Sequence, residues 1–232
     1  MICAILLSGG TGTRLGYDIP KQYLKVNGKM ILEYSIETLL NSKYIDLLCI
    51  VADSRWYKTI TKVIKSQKSS SKFVSFTSPG KTRQLSIYNG LKALKGLANN
   101  NDYVLIHDAA RPMLKDSLIQ DIVNHSHDYD GVLPALPMKD TVYMVDDSGQ
   151  IQSLLKRSNV IAGQSPELFL FDKYLKANEK LIHENRIMEI NGSTEPAYLA
   201  GMNIITIQGD ENNFKITTKE DLCRFTDLQE SG

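Results

Sequence analysis

The chain has 232 residues, 42% hydrophobic and 23% charged, with a formal net charge of +1. That composition suits a globular protein with a sizeable core, and the near-neutral balance gives no electrostatic case for nucleic acid or an anionic membrane surface. No apolar run reaches the roughly 18 residues of a membrane span, and three scattered cysteines without CxxC spacing argue for a reducing, cytoplasmic setting rather than a disulfide frame or zinc site. Ile2–Leu7 is apolar throughout and predicts a buried strand; it lacks the basic flank of a signal peptide. Apolar residues at 31, 32, 36, 39 and 40 predict an amphipathic helix over Met30–Leu40. Ile45–Val51 reads as a strand, Arg55–Lys68 as a helix and Phe73–Phe76 as a short strand. Thr82–Leu97, with Leu85, Ile87, Leu91 and Leu94 at helical spacing, predicts a helix, followed by a strand at Tyr103–Ile106, a helix at Leu114–His125 and a strand at Val132–Leu136. This alternation implies an α/β fold: a Rossmann-like, mostly parallel sheet with helices on both faces. Thr141–Val145 and Ile151–Leu155 flank the turn Asp146-Asp147-Ser148-Gly149 and predict a hairpin that departs from the main sheet as a protruding β-arm. A helix at Phe171–Leu181, a strand at Asn203–Ile207 and a helix from about Thr218 complete one domain.

The first strand empties into Ser8-Gly9-Gly10-Thr11-Gly12-Thr13, with Arg14 and Lys21 beside it. A glycine loop after a buried strand offers bare backbone N–H groups to an anion, and two cations suit a phosphate. Leu15 occupies the third glycine position of a dinucleotide fingerprint, and Ser75 occupies the first glycine position of a Walker loop ending at Gly80-Lys81-Thr82; both patterns fail. Asp108, at the carboxyl end of the strand Tyr103–Ile106, lies where an open α/β sheet meets its ligand, and a hard carboxylate there is a candidate Mg²⁺ ligand. Arg111 reads as structural, and His107 as a packed, hydrogen-bonded histidine.

Six motifs in order, at 9–24, 80–86, 107–112, 140–142, 163–166 and 213–218, make the chain resemble the IspD/TarI family of cytidylyltransferases. They include Gly80-Lys81-Thr82-Arg83-Gln84-Leu85-Ser86, His107-Asp108-Ala109-Ala110-Arg111-Pro112 and Asn213-Phe214-Lys215-Ile216-Thr217-Thr218. The resemblance implies a fold of the nucleotide-diphospho-sugar transferase type. It implies that Ser8–Thr13 wrap the CTP phosphates and that Arg14, Lys21 and Lys215 neutralise charge at the reacting phosphate. It also implies that Gly80, Arg83 and Ser86 recognise cytosine and that Asp108 binds CTP through Mg²⁺ or another divalent cation. Thr141, Arg157, Ser165 and Lys215 match positions that hold the phosphate of a sugar-alcohol acceptor. The 139–158 arm implies a homodimer in which Thr141 and Arg157 serve the partner's site.

The implied reaction joins CMP to a polyol phosphate with release of pyrophosphate. The main expectation for the acceptor is 2-C-methyl-D-erythritol 4-phosphate, used in isoprenoid precursor synthesis. The alternatives are D-ribitol 5-phosphate, used for teichoic acid or capsule polymers, and a non-catalytic nucleotide-binding module. Departures from the family pattern gather on the acceptor side. Glu167 replaces a customary glutamine after Ser165-Pro166, and Pro196 in Thr194-Glu195-Pro196 should shorten or bend a helix start. Asn212 stands where some relatives carry an aspartate, and Asn213 could offer a neutral oxygen to the metal.

Overall fold

A computed structural model describes residues 1–10 and 16–230. In chain order the elements are β1 (Ile2–Leu7), β2 (Lys25–Val26), β3 (Lys29–Met30), α1 (Ile31–Asn41), β4 (Leu47–Val51), α2 (Tyr57–Lys65), β5 (Phe73–Thr77) and α3 (Arg83–Leu94). There follow β6 (Tyr103–Asp108), α4 (Asp116–Asn124), β7 (Gly131–Pro137), β8 (Val142–Val145), β9 (Ile151–Leu155), β10 (Ile161–Gly163) and β11 (Glu167–Leu170). The last elements are α5 (Phe171–His183), α6 (Glu195–Leu199), β12 (Ile204–Gln208) and α7 (Lys219–Glu230).

The main sheet runs β10-β7-β11-β6-β1-β4-β5, with β12 also paired to β7. Strands β6, β1, β4 and β5 are mutually parallel, as is the β12–β7 pair, while β11 and β10 run antiparallel to their neighbours. Strand β1 lies at the centre because both of its faces are apolar. Ala4 and Leu6 pack with Leu32, Ile36 and Leu39 of α1 and with Ile60 of α2 and Ile119 of α4. Cys3 and Ile5, offset by one residue, pack on the opposite face with Ile87 and Leu91 of α3 and Tyr174 of α5. The helices therefore cover both faces of the sheet. Burial pushes the Cys3 thiol up to about 12 and the Cys49 thiol to about 11, so both behave as small core residues.

Sequence periodicity located most elements to within a few residues. The helix expected from Arg55 opens as a 3₁₀ turn, Ser54–Trp56, capped by the Asp53 carboxylate accepting from the Arg55 N–H, and its α-helical part ends at Lys65. Thr82 is the N-cap of α3, its hydroxyl accepting from the Leu85 N–H at 3.2 Å. Pro196 lies in the first turn of α6, a helix of only five residues. Strand β11 was not expected, because four residues running straight into α5 show neither alternation nor a turn signal. It inserts antiparallel between β6 and β7 and places Glu167 opposite Ile106. Among the described residues, strands β8 and β9 pair only with each other, forming the expected arm.

Candidate active site

Strands β1 and β6 are adjacent and parallel, and the chain leaves β1 toward β4 but β6 toward β7, so the connections diverge and open a crevice at their carboxyl ends. A cavity of about 400 Å³ occupies that crevice. Its lining comes from the ends of β1 and β6, the turn into α3 and the segment before α7, including Gly9, Gly10, Lys21, Gly80, Arg83 and Lys215.

The loop after β1 is clamped from below. Gln22, 3% exposed, donates to the carbonyls of Ser8 at 2.8 Å and Gly10 at 2.7 Å. The Ser8 hydroxyl donates to Tyr23 Oη at 3.1 Å, Tyr23 Oη donates to the Ser8 carbonyl, and the Tyr23 ring stacks on Trp56 at 3.8 Å. A Cβ on Gly9 would overlap Pro79, so the loop and the β5–α3 turn touch only because Gly9 has no side chain. That turn is closed by the Gly80 N–H donating to Ser86 Oγ at 3.0 Å, while Ser86 Oγ donates to the Thr82 carbonyl at 2.9 Å.

Asp108 is the electrostatic centre. Arg83 reaches its Oδ1 with Nε at 3.0 Å and a terminal nitrogen at 2.9 Å, and Lys215 Nζ donates to Oδ2 at 2.8 Å. Burial opposes the carboxylate's charge, but Arg83 and Lys215 outweigh it and hold the acid well below the usual range. Lys215 is brought there by its neighbours: Arg111 donates to the Asn213 carbonyl at 2.7 Å, Asn213 Nδ2 to the Ser165 carbonyl at 2.8 Å, and the Ile216 N–H to the Ala110 carbonyl at 2.8 Å. Arg111 is thus structural, tying this segment down through the Asn213 carbonyl. His107 is fully buried between Ser35, Ser165 and the Arg111 carbonyl, and burial lowers its pKa to about 4. A neutral, enclosed imidazole is a packing residue.

A family model described as "IspD: 2-C-methyl-D-erythritol 4-phosphate cytidylyltransferase" matches residues 2–227. The chain belongs to the IspD family. It is 36% identical over 222 residues to a 2-C-methyl-D-erythritol 4-phosphate cytidylyltransferase of Clostridium botulinum, covering 96% of each chain. It is 35% identical to the enzyme of that name from Thermotoga neapolitana, covering 96% of this chain and 94% of the relative. Among solved structures, the 4-diphosphocytidyl-2C-methyl-D-erythritol synthase of Anaerococcus prevotii shares the fold at a TM-score of 0.84, covering 99% of this chain and 96% of that one at 24% identity. The Francisella tularensis 2-C-methyl-D-erythritol 4-phosphate cytidylyltransferase (IspD) follows at 0.79 and 27% identity, covering 98% and 99%. Membership makes the chain a CTP-dependent nucleotidyltransferase, and the relatives' names do not favour the ribitol alternative.

Of the site residues expected from sequence, Gly9, Gly10, Lys21, Gly80, Arg83, Ser86, Asp108 and Lys215 line this same cavity. Thr11, Gly12, Thr13 and Arg14 lie outside the described residues. Ser8 is 2% exposed and its hydroxyl is engaged by Tyr23, so it shapes the loop from beneath. Ser165 is also buried, its Oγ accepting from the Asp108 N–H at 3.0 Å, which puts it in the floor of the site. Thr141 and Arg157 do not line the cavity. Both are exposed on the arm, where Arg157 donates to the Lys139 carbonyl at 2.8 Å. Gln22, Tyr23 and Trp56 were not singled out from sequence; their place beside the Lys21 motif was the available signal for the first two, and Trp56 carried none.

Among the described residues no cluster of three or more His, Cys, Asp or Glu is poised to hold a metal. Asp108 by itself suits Mg²⁺, which takes one or two carboxylates and fills its shell with water and substrate phosphate. Asn213 Oδ1 is buried without a partner in the same region.

Proposed function

We propose that the chain transfers CMP from CTP to 2-C-methyl-D-erythritol 4-phosphate and releases pyrophosphate. The observation that carries this reading is the convergence of Lys21, Arg83 and Lys215 with Asp108 at the β1/β6 crevice of an IspD-family chain. A phosphate monoester oxygen attacks the α-phosphorus of CTP in line. The new P–O bond forms as the bond from the α-phosphorus to the bridging oxygen breaks, and that oxygen leaves with the pyrophosphate. The monoester is itself a competent nucleophile, so no protein nucleophile is required. The chain's work is orientation and neutralisation of charge on the phosphoryl oxygens.

In this reading Gly9, Gly10 and Lys21, with Thr11–Arg14, hold the phosphates. Gly80, Arg83 and Ser86 face the base, and Lys215 serves the acceptor phosphate and the transfer. Asp108 would hold Mg²⁺, which when bound adds Lewis-acid charge at the triphosphate. Cytoplasmic residence accords with the unpaired thiols and with the absence of any helix, among the described residues, long and apolar enough to cross a membrane.

The arm supports the homodimer. Met144, Val145, Ile151 and Leu154 are 54%, 57%, 61% and 66% exposed, a degree of apolar exposure that asks for a partner surface. A second copy would cover them and receive Thr141 and Arg157 at its own acceptor site.

The deciding assay measures pyrophosphate release from CTP and Mg²⁺ with 2-C-methyl-D-erythritol 4-phosphate or D-ribitol 5-phosphate. Release with the first and little with the second is expected. Preference for ribitol 5-phosphate overturns the acceptor assignment, and no release with either returns the chain to a binding module.

A further inference from the structure

Behind the cavity lies a buried polar ring. Gln84, the residue after Arg83 and 2% exposed, donates its amide to Tyr174 Oη at 3.1 Å and to Asn178 Oδ1 at 2.6 Å on α5. Tyr174 Oη donates to the Ser193 carbonyl at 2.7 Å, and Asn178 Nδ2 donates to the Tyr174 carbonyl at 2.8 Å. The buried Ser193 side chain lies near the Glu167 carboxyl, whose Oε2 has no hydrogen-bond partner. Glu167 is 8% exposed and pairs across the sheet with Ile106, two residues before Asp108. Ile106 packs on the α3 side, so both carboxyls share the face that α3 covers. The Arg83 guanidinium binds Asp108 directly and lies within electrostatic reach of Glu167. Burial works against its charge, yet Asp108 and Glu167 together raise its pKa above the ordinary value.

Apolar side chains would fill this space at lower cost, since a buried carboxyl and a half-satisfied network are expensive. The arrangement does have a geometric product: it places a second carboxyl on the sheet face that Arg83 covers, and it ties the first turn of α3, which also carries Ser86, to α5. We infer that Glu167 and Tyr174 are positioning residues for nucleotide recognition, Glu167 acting through Arg83 and Tyr174 acting through Gln84. The inference rests on the nucleotide occupying the crevice described above.

The test compares the unaltered chain with Glu167→Leu, which removes the carboxyl at similar bulk, and Tyr174→Phe, which keeps the ring stacked 4.3 Å from Phe169 and removes the hydroxyl. CTP binding is followed by emission of Trp56, the sole tryptophan, which stacks on the Tyr23 that clamps the phosphate-side loop. Steady-state constants are measured with CTP and UTP, and melting temperatures are recorded alongside. We expect Kd and KM for CTP to rise about 5–20-fold, kcat to stay within about twofold, and the preference for CTP over UTP to fall about fivefold or more. Unchanged CTP affinity and base preference in both variants overturn the inference, even if melting temperatures fall, because a purely structural ring would behave that way. Gln84→Met cuts the same ring on its other side and replaces either variant that does not fold. A wild-type chain that neither binds CTP nor turns it over refutes the nucleotide reading itself, a result distinct from failure of the variants.

Discussion

Replacing Asp108 by asparagine tests the electrostatic core of the site. The amide keeps the shape but leaves the Arg83 guanidinium and the Lys215 ammonium facing a neutral group. Removing one member of a buried ion pair costs about 3–5 kcal/mol. The Arg83 and Lys215 side chains are 32% and 35% exposed, so water screens part of the charge left behind. We therefore expect Asp108→Asn to lose about 1–3 kcal/mol. At about 2–4 °C per kcal/mol for a chain of this size, its melting temperature should fall by about 2–12 °C.

The pH dependence has a definite sign. The carboxyl's folded pKa lies below its unfolded value, so its stabilisation is complete above the unfolded range near 4 and is lost as pH falls through the folded value. The gap between wild type and variant should be constant between about pH 6 and 8 and should close on acidification. Thermal denaturation followed by circular dichroism, in metal-free buffer, measures both. A variant as stable as wild type at neutral pH, or a gap that widens in acid, refutes the claim that Asp108 is a stabilising ionised centre.

Lys21→Ala and Arg14→Ala should each lower kcat by about 10²–10³-fold, the cost of removing one charge-stabilising group from a transition state, and near wild-type turnover of either removes it from the machinery. Gly80→Ala places a Cβ against Leu85 Cβ and 2.9 Å from the Ser86 nitrogen, so the turn must shift. We expect a loss of about 1–3 kcal/mol in a thermal melt and a raised KM for CTP, and an unperturbed KM contradicts the turn's role in binding. Deleting residues 141–155 should give an inactive monomer in sedimentation velocity, whereas an active monomer eliminates the shared site.

Much of the site was legible because its parts are local. The strand Ile2–Leu7, the glycine loop, the helix opening near Thr82 and Asp108 at a strand end each carry their signal within a few residues. The closure of the site is not local. Lys215 and Asp108 are separated by 107 positions, and nothing in either segment states that the ammonium reaches the carboxylate. Ser8 and Ser165 illustrate the same limit from the other side: a hydroxyl in a motif looks available to substrate, but burial and a backbone or tyrosine partner engage it within the fold.

The amino-acid sequence by itself determined the alternating α/β order, the apolar central strand, the arm and the phosphate-handling chemistry, since periodicity and short motifs are properties of neighbouring residues. Only the tertiary structure decided that β11 inserts antiparallel, that Gln22 and Tyr23 clamp the loop, and that Glu167 shares a sheet face with Asp108. Those arrangements depend on which buried surfaces and polar groups meet after folding. Their energy comes from contacts between segments far apart in the chain, which no local pattern encodes.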